Sequence, residues 1–372
     1  MKIVDVKIYP VSIPLTETFR IAYGETSVAH TILIKIVTDE GIYGLGEASP
    51  TAKITGETLS QAVVNLEYLT SLLINEDPLN IGALEEKINR SLIGNTSVKA
   101  AISMALHDIL GKVAKTPLYK LFGAYRRTFE TDITIGIKDL KSTMKEAIKY
   151  VEQGFKTLKV KVGANPKEDI ERVKAIRDAI GYNVKLRLDA NQGWSKKEAV
   201  RVLKAMERYE IELIEQPVPY WDVEGLRYVK DNIDIPVIAD ESVHNSKDAI
   251  ALIKRGAVDG FNIKLMKCGS LREALKIASI AEAEGLKCMI GCMVETKLAL
   301  TAASHIVAST NNIVYIDLDG DLSMADQPVI NGIQRDGGKI IVPEGYGLGV
   351  DIDEEKIKGF LVDREKCLKL GI

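Results

Sequence analysis

The stretch Thr157-Leu158-Lys159-Val160-Lys161-Val162-Gly163 alternates polar and apolar side chains as a β-strand does. Successive side chains of a strand point to opposite faces, so Lys159 and Lys161 share one face and the branched apolar residues take the other. Two ammonium groups that face the same interior repel each other and lose their hydration. Either this strand exposes its lysines to water or a functional site uses them.

Strands of this kind recur along the chain from residue 131 onwards, and longer amphipathic helices separate them. The predicted strands span 131–136, 157–163, 183–189, 211–216, 236–241, 260–266, 287–293 and 313–319. No glycine-rich dinucleotide turn follows the first of them. The pattern therefore favours a closed parallel β/α barrel, and a doubly wound sheet is the alternative.

The segment before this pattern predicts a small sheet followed by helices. Strands are predicted at 2–14, 30–38 and 41–47, and helices between Glu57 and Lys115, where Pro117 ends the last one. This order is typical of an α+β unit. We expect a capping domain at residues 1–125, to which the tail 338–372 returns, and a barrel domain at residues 126–337.

Two stretches of the first domain lack any periodicity. They are Leu15 to Ala29 and Ala48 to Gly56. Connections of this length are often functional, so both are predicted to be loops and candidate lids.

The composition of the chain points to a small-molecule partner. The 372 residues are 46% hydrophobic and 27% charged, with a net charge of -3, which gives no electrostatic reason to expect nucleic acid or an anionic membrane. No uncharged stretch is long enough to span a bilayer. Cys268, Cys288, Cys292 and Cys367 lack the spacing of a disulfide scaffold, so we expect reduced thiols in a cytoplasmic protein. We also expect a homo-oligomer.

Polar residues cluster at the carboxyl ends of the predicted barrel strands. They are Thr134, Lys159, Lys161, Asp189, Asn191, Glu215, Asp240, Glu241, Lys264, Lys267, Cys292, Asp317 and Asp319. In a β/α barrel these ends converge on one face, where catalysis occurs in this architecture. The sequence therefore predicts an active site on that face.

Three of these residues predict a metal site. Asp189, Glu215 and Asp240 end consecutive strands, so their carboxylates would pack together and repel each other. Mg²⁺ removes this repulsion, since it takes oxygen ligands and keeps positions for water or substrate. For any one of these acids, helix capping or pairing with a lysine is the alternative. Their presence on three adjacent strands favours the metal.

Two lysines predict an acid/base pair. Lys161 on the second strand and Lys264 on the sixth lie across a closed barrel from each other, on either side of the predicted metal. They can address opposite faces of one substrate, which suits removal of a proton from one side of a carbon and its return from the other. For either lysine alone, a solvated side chain is the alternative.

Together these residues resemble the enolase superfamily, specifically the dipeptide epimerases of its muconate-lactonizing subgroup. The resemblance covers nearly the whole chain and rests on Lys159-Val160-Lys161, Asp189-Ala190-Asn191, Ile214-Glu215-Gln216-Pro217, Ala239-Asp240-Glu241-Ser242, Asn262-Ile263-Lys264 and Asp108-Ile109-Leu110-Gly111-Lys112. The related mandelate-racemase subgroup has a histidine on the seventh strand. Here that strand ends Gly291-Cys292-Met293-Val294, so the lysine pair is the better match.

The resemblance implies an α/β fold in which an α+β capping domain covers a modified (β/α)7β TIM-type barrel. It also implies Mg²⁺ on Asp189, Glu215 and Asp240, and Lys161 and Lys264 as acid/base catalysts. The remaining implied contacts are to substrate: Thr134, Lys159, Cys292, Asp317 and Asp319. Of these, Asp317 and Asp319 can hold a free α-amino group. The implied reaction is 1,1-proton transfer at the α-carbon of the second residue of an L-Ala-type dipeptide, through an enediolate.

One departure concerns the substrate side chain. Members that take Ala-Glu carry an arginine near position 24, where this chain has Ala22-Tyr23-Gly24-Glu25. A hydrophobic, broad or cationic specificity is therefore open. The alternative activities are those of a muconate-type cycloisomerase, an o-succinylbenzoate synthase, a Schiff-base aldolase and a non-catalytic binding barrel. Asp317-Leu318-Asp319 argues against the first two, because their substrates lack an ammonium group.

Overall fold

The computed structural model of this protein describes residues 1–363. Cys367 and the last part of the predicted return, residues 364–372, lie outside the described residues. The chain begins with an antiparallel sheet of β1 (Ile3–Ile21), β2 (Gly24–Thr38) and β3 (Tyr43–Ala48). The three strands predicted in this region are confirmed.

The prediction of a loop from Leu15 to Ala29 is wrong. Residues 15–29 continue β1 and β2 as one long hairpin, in which Phe19 pairs with Thr26 and Ile21 with Gly24. The register shifts between Pro14 and Phe19, and this irregularity interrupts the alternation by which a strand is recognised in sequence. The second predicted loop, Ala48 to Gly56, is irregular once β3 ends at Ala48.

Helices α1 (Leu59–Ser71) and α3 (Thr96–Val113) pack on this sheet, and α2 (Ile81–Ser91) packs on α3. The short α4 (Leu118–Leu121) follows Pro117. Asp108 of α3 is fully buried and joins three segments. It accepts hydrogen bonds from Leu45 N–H at 3.0 Å and Leu348 N–H at 2.8 Å, and pairs with Lys112 Nζ at 2.7 Å. This explains the Asp108-to-Lys112 motif as a structural junction.

The second part of the chain is a β/α barrel. Its strands are β5 (Ile133–Ile135), β6 (Thr157–Lys161), β7 (Lys185–Asp189), β8 (Ile211–Glu215), β9 (Val237–Ala239), β10 (Gly260–Ile263), β11 (Lys287–Ile290) and β12 (Ile313–Ile316). The helices between and beside them are α5 (Leu140–Glu152), α6 (Pro166–Ile180), α7 (Lys196–Met206), α8 (Val223–Lys230), α9 (Ser246–Lys254), α10 (Leu265–Cys268), α11 (Leu271–Ala283) and α12 (Lys297–Ser309). The eight strands are parallel and neighbour one another in chain order, as predicted.

Individual hydrogen bonds join the first and last barrel strands. The Asp132 N–H donates to the Ile316 carbonyl at 3.0 Å, and the Thr134 N–H donates to Asp319 Oδ2 at 2.7 Å. The buried apolar residues of the strands and helices form one continuous core around the barrel. The predicted α/β class with a (β/α)7β barrel and an α+β capping part is confirmed.

The segment after the barrel returns to earlier parts of the chain. Strands β14 (Gln334–Asp336) and β15 (Lys339–Ile341) form a sheet with β4 (Thr128–Glu130), while β13 (Val329–Asn331) pairs with β16 (Val350–Ile352). After α13 (Glu354–Lys358), the Phe360 carbonyl accepts from Ser12 N–H at 2.9 Å. The numerical domain boundaries remain a prediction.

The Glu47 carboxylate joins the first sheet to the barrel. Glu47 on β3 is fully buried and accepts hydrogen bonds from Thr296 N–H at 2.8 Å, Thr296 Oγ1 at 2.6 Å and Ala299 N–H at 3.0 Å. The acid thereby caps the amino end of α12, where free N–H groups favour a negative charge.

Among the described residues, no helix combines the length and apolar character that crossing a membrane requires.

Candidate active site

The carboxyl ends of the barrel strands bring the predicted site residues together. Lys159 is paired with Thr134 on β5, and Lys161 with Asp189 on β7, which is in turn paired with Glu215 on β8. The other predicted residues follow the ends of β9 to β12 directly or within three positions: Asp240, Lys264, Cys292, Asp317 and Asp319. Most of these side chains are buried, although the residues are charged or polar.

Lys159 lies at the centre of this group. Its Nζ is 2.6 Å from Glu215 Oε2, 2.8 Å from Asp317 Oδ2 and 3.1 Å from Asp189 Oδ2, and its side chain is 1% exposed. Burial by itself would lower the pKa of this lysine, but the three carboxylates outweigh it and raise the pKa well above the usual value. Lys159 is therefore a fixed positive charge in the middle of the barrel mouth.

The two lysines of the predicted acid/base pair each contact one predicted metal ligand. Lys161 Nζ lies 2.6 Å from Asp189 Oδ2, and Lys264 Nζ lies 2.7 Å from Asp240 Oδ2. Burial disfavours the charged form of Lys264, but Asp240 and then Glu215 raise its pKa well above the usual value. In the strand order, β6 and β10 are separated by β7, β8 and β9. The two ammonium groups thus approach the three carboxylates from opposite sides.

The electrostatics of the three carboxylates fit a cation. Burial and then the charge of Asp189 raise the pKa of Glu215 to about 8, so its ionised form needs further positive charge nearby. For Asp240, burial acts in the same direction, but Lys264 and Lys267 outweigh it and hold the pKa well below normal. Three buried acids on adjacent strands are a donor set of the type that Mg²⁺ takes. Within the described part of the chain, however, another group has its potential ligand atoms closer together.

That closer group contains Cys292, Asp317 and Asp319, whose ligand atoms all lie within 4.8 Å of one another. The two aspartates have different surroundings. Lys159 outweighs the effect of burial on Asp317 and holds its pKa below normal, whereas burial and the charge of Asp317 raise the pKa of Asp319 to about 6. Asp319 accepts from the Thr134 N–H and lies 3.8 Å from Cys292 Sγ.

Sequence reasoning did not give a role to Lys267 or Asn262. Lys267 is 1% exposed, and its ammonium lies 2.5 Å from Asp240 Oδ1 and 3.0 Å from the Asn262 carbonyl. Asn262 Nδ2 donates to Glu215 Oε1 at 2.7 Å. The sequence contained a signal for each of these residues. Asn262 shares a strand face with Lys264, and Lys267 follows Lys264 by one helical turn.

The tip of the long hairpin reaches the barrel mouth. Tyr23 Oη donates to Glu241 Oε1 at 3.4 Å, and Lys53 from the irregular stretch after β3 bonds to the Tyr23 carbonyl. Lys53 Nζ also lies 3.4 Å from the point where a Cβ on Gly24 would stand. The first sheet therefore supplies one wall of the mouth.

Family models match both parts of the chain. Residues 3–123 match the mandelate racemase / muconate lactonizing enzyme N-terminal domain, and residues 142–356 match the enolase C-terminal domain-like family. The chain belongs to the enolase superfamily. The resemblance stated from its motifs is thereby confirmed.

Several relatives that match nearly the full length of the chain are dipeptide epimerases. The chain is 43% identical to an L-Ala-D/L-Glu epimerase of Clostridium acetobutylicum, over 94% of this chain and 99% of that one. A dipeptide epimerase of Enterococcus faecalis, solved with Mg and L-Leu-L-Tyr, is 43% identical with a TM-score of 0.92, over 94% of this chain and 100% of that one. The substrate-liganded L-Ala-D/L-Glu epimerase of Bacillus subtilis is 40% identical with a TM-score of 0.92, over 94% and 99%.

Proposed function

We propose that this enolase-superfamily protein is a Mg²⁺-dependent dipeptide epimerase, an isomerase that inverts the α-carbon of the second residue of an L-Ala-type dipeptide. The observation that carries the proposal is the placement of Lys161 and Lys264, which reach three buried carboxylates from opposite sides of the barrel. Two bases on opposite faces of one carbon are what 1,1-proton transfer needs.

Asp189, Glu215 and Asp240 would hold the metal. When bound there, Mg²⁺ supplies Lewis-acid stabilisation for the substrate carboxylate. Lys159 adds a fixed positive charge at the same point, since its Nζ touches two of the three ligands. Loss of the α-proton turns the carboxylate into an enediolate with increased negative charge, so this preorganised charge lowers the barrier.

The proton moves between the two lysines by way of the α-carbon. One neutral lysine takes the α-proton onto Nζ, and the opposite lysine donates a proton from its Nζ to the other face. The roles exchange when the reaction runs backwards. The Asp240 charge raises the pKa of Lys264, and a cation held by the same carboxylate would weaken this effect. The base role of Lys264 therefore depends on a loaded metal site.

Asp319 and Asp317 would bind the α-ammonium group of the dipeptide, with Thr134 and Cys292 at the same end of the barrel. Charge-assisted hydrogen bonds between ammonium and carboxylate are among the strong ones in proteins. A cycloisomerase or an o-succinylbenzoate synthase would have no use for a buried carboxylate pair here. The epimerase proposal is therefore favoured over these alternatives.

The hairpin tip bears on which side chain the second residue of the dipeptide carries. Gly24 lacks the arginine of the Ala-Glu members, but the Lys53 ammonium lies beside it. The Lys53 ammonium is therefore a cation on this side of the barrel mouth. Beside Gly24, apolar side chains of the substrate also have space. We propose a broad specificity that includes acidic and hydrophobic second residues.

A dipeptide library in D₂O tests the proposal. Each dipeptide is incubated with enzyme and Mg²⁺, and mass spectrometry measures deuterium at the α-carbon of the second residue. We expect incorporation together with formation of the second epimer. No incorporation with any dipeptide would overturn the proposal and would favour a cycloisomerase.

We further propose that the protein acts in the cytoplasm as a homo-oligomer. In support of a reducing compartment, Cys268, Cys288 and Cys292 are free thiols. Sedimentation of the purified protein measures the oligomeric state.

A further inference from the structure

Leu318, between Asp317 and Asp319, is held by side chains at both of its backbone groups. Strand β12 ends at Ile316, so Leu318 lies beyond its ladder. The Leu318 N–H donates to Thr131 Oγ1 at 2.9 Å, and the Leu318 carbonyl accepts from Arg335 Nη2 at 2.6 Å. Leu318 is fully buried, and buried backbone groups need such partners.

The conformation of Leu318 controls the aspartates on either side of it. Side chains at positions 317 and 319 point to the same face only while the residue between them is extended. Each side chain also has a direct contact of its own, Asp317 with Lys159 Nζ and Asp319 with the Thr134 N–H, but neither contact fixes the backbone between them. The two bonds to Leu318 therefore help to set the direction of both carboxylates.

Arg335 contacts the Leu318 carbonyl through a single nitrogen, Nη2. Nη2 also donates to Asp321 Oδ1 at 2.5 Å, in the 3-10 turn Gly320–Ser323. Nε and Nη1 of Arg335 are buried without a partner among the described residues. The arginine thus ties the backbone between the two aspartates to the turn that follows them.

We propose that Arg335 is a positioning residue for the ammonium group of the substrate. By holding the Leu318 carbonyl, it keeps Asp317 and Asp319 directed into the barrel mouth. It acts on dipeptide affinity and leaves metal binding unchanged, since neither of its contacts is a predicted metal ligand. This inference rests on the proposed function.

The test compares two arginines that line the same cavity of about 810 Å³. Arg127 also bonds one carbonyl and one carboxylate, Val342 O at 3.0 Å and Glu344 Oε2 at 3.0 Å, and neither partner belongs to residues 317–321. Arg335→Met is expected to raise the dipeptide KM by roughly 10- to 100-fold, as misplaced binding groups do. Arg127→Met should keep the wild-type KM, and Arg335→Lys should recover most of the affinity because one nitrogen suffices.

Dipeptide binding without turnover separates this inference from the proposed function. On a Lys161→Ala background, which cannot epimerise the dipeptide, calorimetry gives the dipeptide Kd with and without Arg335→Met, and also the Mg²⁺ Kd. A weaker dipeptide Kd with an unchanged Mg²⁺ Kd supports the inference. Equal dipeptide Kd values, or an equal loss in Arg127→Met, overturn it, whereas absence of deuterium exchange in the wild type overturns the proposed function. If Arg335→Met does not fold, Thr131→Val removes the other bond to Leu318 and must weaken dipeptide binding in the same way.

Discussion

Asp317 and Asp319 stand two residues apart at the end of the same strand, but among the described residues only Asp317 is paired with a lysine. Lys159 Nζ lies 2.8 Å from Asp317 Oδ2, while Asp319 Oδ2 accepts from the Thr134 N–H at 2.7 Å. Asp317 therefore already has a positive partner within residues 1–363, and Asp319 has none there. This difference predicts that the two carboxylates contribute unequally to substrate binding.

Asp319→Asn should raise the dipeptide KM by roughly 10- to 100-fold, the size expected for loss of a charged hydrogen bond. Its kcat should change little, because the amide oxygen can still accept from Thr134. Asp317→Asn should lower kcat as well, since Lys159 loses a partner. Steady-state kinetics with one dipeptide measures both constants, and identical effects of the two variants would contradict the difference.

The pKa of Asp319, raised to about 6, predicts a pH dependence of substrate binding. The carboxylate is charged above this pH and neutral below it, and only the charged form attracts an ammonium group. The KM should therefore rise as the pH falls through about 6. KM measured from pH 5 to 8 checks this, and Asp319→Asn, which cannot titrate, should lose the dependence.

Lys161→Ala and Lys264→Ala should each abolish epimerisation, with a loss of at least roughly 10²- to 10⁴-fold for a missing acid/base group. The remaining lysine can still remove the α-proton that faces it and return deuterium to the same face. Each variant should then exchange one epimer in D₂O without inverting it, and the two variants should exchange opposite epimers. Lys174→Ala, an exposed lysine on α6, is the control, and full turnover by either active-site variant would contradict a two-base reaction.

Lys267→Met should weaken Mg²⁺ binding by roughly 10- to 100-fold, as loss of groups that orient a metal ligand does. The lysine holds Asp240 Oδ1 and the Asn262 carbonyl together, so without it Asp240 can turn away. Calorimetry with Mg²⁺ measures the effect. Lys112 binds Asp108 Oδ2 at 2.7 Å and the Tyr43 carbonyl at 2.9 Å, so Lys112→Met is a matched control that should keep the wild-type Mg²⁺ Kd.

Acid should destabilise the fold through His305 on α12. It is fully buried; Tyr119 N–H donates to its Nδ1 at 3.1 Å, and its Nε2 donates to the Leu348 carbonyl at 3.0 Å. Burial lowers its pKa to about 4, so between about pH 4 and 6.5 the unfolded chain binds a proton that the folded chain does not.

The contribution of His305 to the free energy of unfolding is therefore complete above about pH 6.5. It decreases towards pH 4, by about 1.4 kcal/mol per pH unit at most. Urea unfolding at a series of pH values measures this slope. His305→Gln keeps an acceptor and a donor but cannot titrate, so its slope should be smaller. An unchanged slope in this variant would show that another group causes the acid sensitivity.

Much of the site could be predicted because each residue sits at the same place in a repeating pattern. Asp189, Glu215 and Asp240 follow three apolar strands in turn, and a parallel barrel brings such ends to one face. The hairpin tip could not be predicted in this way. Its pairing is irregular between Pro14 and Phe19, and its partner Glu241 lies more than two hundred residues away.

The sequence by itself determined the order of the barrel strands, the face on which Lys159 and Lys161 lie, and the set of charged residues at the barrel mouth. These depend on local alternation and on strand order. Only the tertiary structure decided which partner each charged side chain contacts. Lys159 lies among three acids, Lys267 contacts Asp240, and Arg335 donates to the Leu318 carbonyl. Such contacts join segments that are far apart in the chain. Their energies depend on interatomic distance and on burial, and a local sequence pattern contains neither.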